Sequence, residues 1–503
     1  MPILTEQKVN HIFAKYKAKA KNCFQRDCYN ACLRYIHAAA YTGYTFYLGF
    51  KDEEIEDLLE SLSHQIKPTL NNLVRQNDEC VFYDSFSIDN GGLVQQYLGA
   101  LMSAGCKIRY IAERSVVLKE SSAIGKMLRD YGRSEIIVIP RQLKPFKKAQ
   151  FIYDCITESK ASRLFIQSYP DSVEANCAFY ALQDNITKYK IDLTDHTFWI
   201  GTRFIDYSFE FRPFGCVASM KERGLKREQL FYLPFYPIMN HLEFKGFPKE
   251  ADGKLVLFSG SDYYKIFDVN DTFFILSKSI LDACPNMILL FAGDGDRKSM
   301  SEKIEKHQLT GRFIPIGQRE DITECFEHCD IYLNTYPFGG GLMTQYAAQM
   351  GKPIVNYQTP TTAKAEEFVC QIKQMNISDD SIEALVERVK RLADNAEYRR
   401  SYGENIRGCV VTQKLFDNLF VKCMEMNESP LPYSEDVSFK EHHMDIHDKL
   451  AYENNTKIYV RNLTKILGFH SIWQNPGFLL DTLLSLVKSN RVFSVLKVRF
   501  CHR

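Results

Sequence analysis

The segment from Cys329 to Val355 constrains the fold more than any other part of the chain. Ile331 to Leu333 form an apolar run of strand type, and three consecutive glycines follow, Gly339 to Gly341. A helical apolar pattern then runs from Met343 to Met350 and stops at Gly351; Pro353 precedes a second apolar strand run, Ile354 and Val355. Strand, glycine loop, helix and strand make a βαβ unit, which requires a parallel sheet. The glycines also leave bare N–H groups at a helix N-terminus, where the helix dipole favours negative charge. A phosphate or diphosphate is the first ligand expected there, and a tight turn without a ligand is the alternative.

The same alternation extends to both sides. Leu255 to Ser259, Met287 to Ala292, Phe313 to Pro315 and Ile331 to Leu333 read as strands, separated by helical patterns at 273–283, 299–307 and 322–328. Earlier, Val81 to Phe86 reads as a strand that leads through Asp89 to Gly92 into a helix over 93–104, and strands follow at 107–112, 136–139, 163–167 and near Ile191. Two series of this kind predict two doubly wound α/β domains in tandem, with ligands at the carboxyl ends of the strands. Residues 1–75 read as a helical extension, 76–245 as the first Rossmann-like domain and 250–428 as the second. A Pro-rich and aromatic linker is expected over Leu230 to Glu250, and residues 429–503 form a partly helical C-terminal extension.

Composition narrows the class. A chain of 503 residues has room for two large domains plus extensions, and a net charge of +1 gives no global field for nucleic acid. Aromatic residues reach 13%, which we read as large cores. Fifteen cysteines without a Cys-x-x-Cys pair suggest free thiols in a reducing compartment. Met1 to Lys21 lacks the apolar segment of a signal peptide, and no apolar run is long enough to span a membrane. The expected location is cytoplasmic. The apolar and basic C-terminal segment (Leu479 to Val487, with Lys488 and Arg491) offers peripheral contact with the inner face of a membrane or with a partner subunit, or a packing helix.

Four elements could carry chemistry. The first is the glycine loop with Leu342, Met343 and Thr344 at the helix start. The second follows strand 255–259: Ser259 and Ser261 offer hydroxyls, Gly260 allows close approach, and Lys265 supplies a point charge suited to a diphosphate. The third is Gly293, after strand 287–292, where a plain turn is an equal alternative. The fourth lies in the first domain, where Asp89 or His196 could take a proton from an acceptor hydroxyl and Asp195 or Asp206 could orient the imidazole. Glu441, His442, His443 and His447 could gather a metal, but their polar flanks read as a solvated loop, and no metal or other cofactor is expected.

At these residues the chain resembles GT-B glycosyltransferases. Tyr264 to Ile266, Cys284 to Leu290, Arg312 to Pro315 and Cys329 to Gly339 are similar to the O-GlcNAc transferase and bacterial cytoplasmic N-glucosyltransferase group. Leu193 to Gly201, Phe209 to Arg212 and Leu233 to Pro237 look like bacterial polysaccharide-type transferases. The resemblance implies a metal-independent hexosyl- or N-acetylhexosaminyl-transferase with a nucleotide diphosphate sugar donor, UDP-linked, and a glycan, lipid-linked or protein acceptor. It implies that Lys265 holds the donor diphosphate with the amides of Gly340 to Thr344. Leu342 and Met343 stand where that group has threonines, and Tyr346 where it has a ribose-binding aspartate. The paired glutamates of a large retaining family are replaced by Phe338 and Tyr346, which favours inversion. A nucleotide-sugar epimerase and a non-catalytic GT-B-like subunit of a partner transferase remain as alternatives.

Overall fold

The computed structural model describes residues 5–68, 74–88, 92–182, 186–360, 364–435 and 456–468. Asp89 and the segments around His442 and Leu479 lie outside the described residues. The chain divides into two compact units: Met1–Asp89 with Leu101–Tyr232 and Glu425–Arg503, and Asn90–Ala100 with Leu233–Met424.

The first unit holds a seven-stranded sheet. Its strands are β1 (Gln76–Asp84), β2 (Lys107–Ala112), β3 (Ser134–Val138), β4 (Ala161–Gln167), β5 (Thr187–Asp192), β6 (Tyr207–Glu210) and β7 (Leu230–Tyr232), in the order β3-β2-β1-β4-β5-β6-β7. All neighbours pair parallel. Register places aromatic residues side by side on one face: Tyr110 beside Phe82, Phe82 beside Phe165, Phe165 beside Tyr189, and Tyr189 beside Tyr207. Their ring centroids are 5.9, 6.4, 5.1 and 5.3 Å apart, and Phe231 extends the row at 4.9 Å from Tyr207. Cross-strand aromatic pairs stabilise a sheet through packing of large rings. This row is where part of the high aromatic content goes.

The other face is covered by the N-terminal helices. Glu6–Phe24, Tyr29–Phe46 and Glu53–Ser63 share one hydrophobic core with Val81, Tyr83, Leu164 and Ile166 of the sheet. Helix Thr456–Leu467 joins the same core. Its Tyr459 hydroxyl lies 2.9 Å from Thr42 Oγ1, and its ring meets Phe46 edge-on at 4.8 Å.

The second unit holds six parallel strands, β8 (Leu255–Gly260), β9 (Met287–Ala292), β10 (Phe313–Gly317), β11 (Ile331–Leu333), β12 (Ile354–Tyr357) and β13 (Ser378–Asp379). Their order is β10-β9-β8-β11-β12-β13. Every residue of β9 is buried, as expected of a parallel strand covered on both faces. In both sheets the winding reverses between the first strand and the fourth. In the second unit that switch point lies between β8 and β11, so the loops after these two strands border the crevice where doubly wound sheets take ligands.

The expected linker begins three residues later than its sequence suggested. Leu230–Tyr232 is β7, the edge of the first sheet, and its three residues are fully buried there. Residues 233–247 have no regular structure.

Candidate active site

In the second unit the loop after β8 and the loop after β11 touch. The Phe338 amide donates to the Lys265 carbonyl at 3.3 Å, and the Tyr264 and Phe338 rings lie 6.3 Å apart. A side chain at Gly260 would meet Met343 Cε at 2.8 Å and Ala292 O at 2.7 Å. A side chain at Gly293 would come within 1.9 Å of the Ser261 carbonyl. These two glycines therefore let β8, β9 and the glycine-loop helix close around the segment 261–265. Ser261 Oγ donates to the Asp262 carbonyl at 2.9 Å. The Ser259 hydroxyl is fully buried with no hydrogen-bond partner.

Lys265 sits in the short 3-10 turn Tyr263–Ile266. It is half-buried, and its ammonium has neither a carboxylate nor a hydrogen-bond acceptor among the described residues. Burial holds its pKa below the ordinary lysine value, with Asp262 opposing that shift. A desolvated cation that no carboxylate contacts among the described residues gains strongly from an incoming anion.

The glycine loop is shaped from behind by Asn334. Its Oδ1 accepts from the Gly340 amide at 2.9 Å and the Thr335 amide at 3.0 Å, and lies 3.3 Å from the Thr344 hydroxyl, whose proton the Gly340 carbonyl takes at 2.7 Å. Its Nδ2 donates to Asn356 Oδ1 at 3.0 Å, Asn356 Nδ2 donates to Ser378 Oγ at 2.9 Å, and Ser378 Oγ donates to Glu366 Oε2 at 2.9 Å. This buried chain crosses β11, β12 and β13 and fixes the loop to the sheet. A side chain at Gly341 would meet the Phe368 ring at 2.7 Å, so glycine is required there by space.

The consequence for anion binding is specific. Helix Gly341–Gln349 begins with Gly340 as its N-cap, and no side chain caps it. Gly340 N–H is spent on Asn334, and Thr344 N–H donates to the Gly340 carbonyl at 2.8 Å. The amides left without a helix carbonyl are those of Gly341, Leu342 and Met343. The polar side chains that follow all turn inward. Thr344 Oγ1 donates to the Gly340 carbonyl at 2.7 Å, Gln345 Nε2 to the Phe235 carbonyl at 2.8 Å, and the Tyr346 hydroxyl to the Ile238 carbonyl at 3.2 Å. Gly339 lies within the bend, its Cβ direction 3.0 Å from Asn334 Nδ2.

In the first unit His196 lies in the loop between β5 and β6. Its side chain is about a third exposed, and Nδ1 is 3.3 Å from Asp195 Oδ1. Asp195 is fully buried, and Arg212 binds it with both arms of its guanidinium: Nε to Oδ2 at 2.5 Å and Nη2 to Oδ1 at 2.7 Å. Burial opposes ionisation of Asp195, but Arg212 and His196 outweigh it and hold the carboxyl well below the usual range. Asp206, the other residue expected to orient the imidazole, is spent elsewhere: its Oδ2 accepts the Lys188 amide at 2.8 Å. The N-terminal helices anchor the same loop. Glu56 accepts from the Gly201 amide at 2.8 Å and from the Tyr180 hydroxyl, and the Trp199 amide donates to the Phe50 carbonyl at 3.2 Å.

Sequence reasoning did not single out Asn334, Asn356, Arg212 as a partner of Asp195, or the buried group Lys190, Asp192, Glu210 and Arg223. Asp192 and Glu210 are register neighbours on β5 and β6, and burial with the Asp192 charge pushes Glu210 up to about 8. The signal for Arg212 was its place beside a proline that opens a helix, Pro213–Lys221. Among the described residues no group of three or more His, Cys, Asp or Glu side chains is placed to hold a metal, the cysteines are free thiols, and no helix is long and apolar enough to cross a membrane.

Comparison with known proteins bears on this geometry. Residues 243–408 match the family model described as "Glycosyl transferases group 1". No curated protein matches the sequence. Among solved structures, a glycosyltransferase from Rickettsia africae superposes with a TM-score of 0.51 at 11% identity, covering 71% of this chain and 99% of its own. A mutant of the Thermobaculum terrenum O-GlcNAc transferase gives 0.49 at 13% identity, covering 84% and 81%, respectively. Anabaena HepE, solved with UDP and glucose, gives 0.49 at 13% identity, covering 69% and 98%. The two doubly wound sheets and the family match to the second unit together support a GT-B glycosyltransferase.

Proposed function

We propose that the protein transfers a hexosyl or N-acetylhexosaminyl group from a UDP-linked donor to a glycan, lipid-linked or protein acceptor, without a metal and with inversion. The observation that carries this reading is the pairing of a desolvated Lys265, whose ammonium contacts no carboxylate or acceptor among the described residues, with the amides of Gly341, Leu342 and Met343, which no helix carbonyl takes, in one unit. A departing nucleoside diphosphate develops charge on its phosphate oxygens, and fixed donors that need no reorganisation stabilise it. Because Thr344, Gln345 and Tyr346 turn inward, the loop holds phosphate through backbone, with Lys265 supplying the charge. Ser261, Gly260 and Gly293 shape the wall beside the lysine, and Ser259 lies buried in β8 just before it.

On the acceptor side His196 is the assigned base. With Nδ1–H directed at Asp195, the lone pair resides on Nε2, the atom that takes a proton from a hydroxyl as it attacks the anomeric carbon. The test is a screen of UDP-sugars for donor turnover with and without glycan acceptors, run on wild type and His196→Gln. Acceptor-dependent turnover lost in the variant supports the assignment. Interconversion of the donor sugar without any acceptor would replace it with an epimerase. UDP binding with no turnover of any donor would favour a non-catalytic subunit, a reading that the inward-turned Thr344, Gln345 and Tyr346 keep specific.

A further inference from the structure

Two buried arginines converge on the three residues centred on His196. Arg223 Nη2 donates to the carbonyl of Asp195 at 2.8 Å and to the carbonyl of Thr197 at 2.8 Å, so it brackets His196 along the backbone. Arg212 grips the Asp195 carboxylate that meets the imidazole. The first arginine therefore sets where the main chain carries the histidine, and the second sets how the ring is turned.

The arginines are themselves immobilised. Arg223 is fully buried; its guanidinium lies over Trp199 at 4.6 Å and Phe50 at 5.1 Å, donates to Ser219 Oγ at 3.3 Å, and stands 3.7 Å from Asp192. Arg212 lies over Phe214 at 4.6 Å and Phe211 at 5.4 Å. Gly215, in the first turn of helix Pro213–Lys221, lets that helix approach: a Cβ there would stand 3.2 Å from the Asp195 side chain and 2.5 Å from Glu210 Oε2. Burying two guanidiniums and a carboxylate costs solvation that apolar packing would avoid, so stability alone does not account for the arrangement. What it delivers is a partly exposed ring on a fixed backbone, with Nδ1 beside a fixed carboxylate.

We infer that Arg212 and Arg223 are positioning residues for His196, Arg223 fixing its backbone and Arg212 fixing its ring through Asp195. This rests on the assignment of His196 as the base. A bidentate guanidinium cannot be replaced by an ammonium, which presents a single point of charge. Arg212→Lys keeps the charge and loses the fork; Arg223→Lys ends one bond short of Nη2, the atom that meets both carbonyls, and loses the Nη1 bond to Ser219 that steadies it.

The test combines two readouts on full-length protein. The first is the ¹⁵N signal of the His196 ring, assigned with His196→Gln, which reports the tautomer without any turnover. The second is kcat and KM for the donor that the UDP-sugar screen identifies. In wild type the ring is expected as a single tautomer protonated at Nδ1. In Arg212→Lys it is expected to move toward a mixture, with kcat falling on the order of 10- to 100-fold and donor KM staying within about twofold. Arg223→Lys is expected to lower kcat in the same way. Should Arg212→Lys fail to fold, Asp195→Asn gives the same tautomer reading. A wild-type tautomer and kcat retained in both Arg212→Lys and Arg223→Lys would overturn the inference. Turnover retained in His196→Gln would instead overturn the base assignment, while the tautomer signal still tests the clamp.

Discussion

Replacing Asn334 by aspartate probes the anion site from behind without touching the atoms that face it. The substitution is isosteric, and the new carboxylate keeps an acceptor for Gly340 N–H and Thr335 N–H, which stand 2.9 and 3.0 Å from Asn334 Oδ1. Two backbone donors favour the ionised form of such a carboxylate. The loop therefore stays in place, and one negative charge appears beneath it. A phosphate hydrogen-bonded to the Gly341 to Met343 amides, one helical turn plus part of a hydrogen bond beyond the asparagine, is taken on the order of 7 Å from that charge. At an effective dielectric constant of about 20 the repulsion is about 2 kcal/mol, or roughly 30-fold in affinity. The lost donor to Asn356 costs on the order of 1–3 kcal/mol of stability, because turning the Asn356 amide to supply one would take its Nδ2 from Ser378. The assay is calorimetric titration of UDP into wild type and Asn334→Asp, with melting temperature as the check on folding. A variant that melts near wild type and binds UDP with affinity unchanged within about twofold would refute the placement of the diphosphate on this loop.

Gly293→Ala should act on the same site through the backbone, since the new Cβ meets the Ser261 carbonyl at 1.9 Å. A loss of about 2–4 kcal/mol of stability with weakened UDP binding is expected, and denaturant unfolding with wild-type stability would contradict it. Glu210 should make stability depend on pH. Its folded pKa of about 8 lies above the unfolded value, so the folded state holds the proton more tightly and stability falls as pH rises from about 4.5 to 8. Glu210→Gln should flatten the melting temperature across that window, and a slope equal to that of wild type would show that Glu210 does not carry it.

The architecture was legible because parallel strands covered on both faces read as unbroken apolar runs; Met287–Ala292 is the clearest. Strands that carry polar residues for a buried network did not show. Tyr207–Glu210 was not singled out as a strand: its four residues are short for the pattern, and alternation with Ser208 and Glu210 points to a half-solvated strand, whereas both polar residues are buried. Leu230–Tyr232 was absorbed into the linker because two prolines follow closely. Within the site, the glycine loop and Lys265 could be read locally, since loop and helix start are adjacent in sequence. The supporting partners could not. Asn334 finds Asn356 and Ser378 only through the register of β11, β12 and β13, and Asp195 finds Arg212 seventeen positions away. Arg223 reads as a surface residue, and its full burial over Trp199 depends on the sheet that surrounds it. The inward phase of Thr344 and Tyr346 follows from where the helix begins, at Gly341, which the run of glycines left open.

The central claim is that Lys265 and the amides of Gly341, Leu342 and Met343 form the diphosphate site of a nucleotide-sugar donor. Calorimetric titration of UDP into wild type and Lys265→Ala tests it most directly. The account predicts saturable one-to-one binding to wild type, and affinity lower by about 10- to 100-fold in the variant, the range for losing one charged hydrogen bond. No binding heat at millimolar UDP, or equal affinity in a folded Lys265→Ala variant, would contradict it.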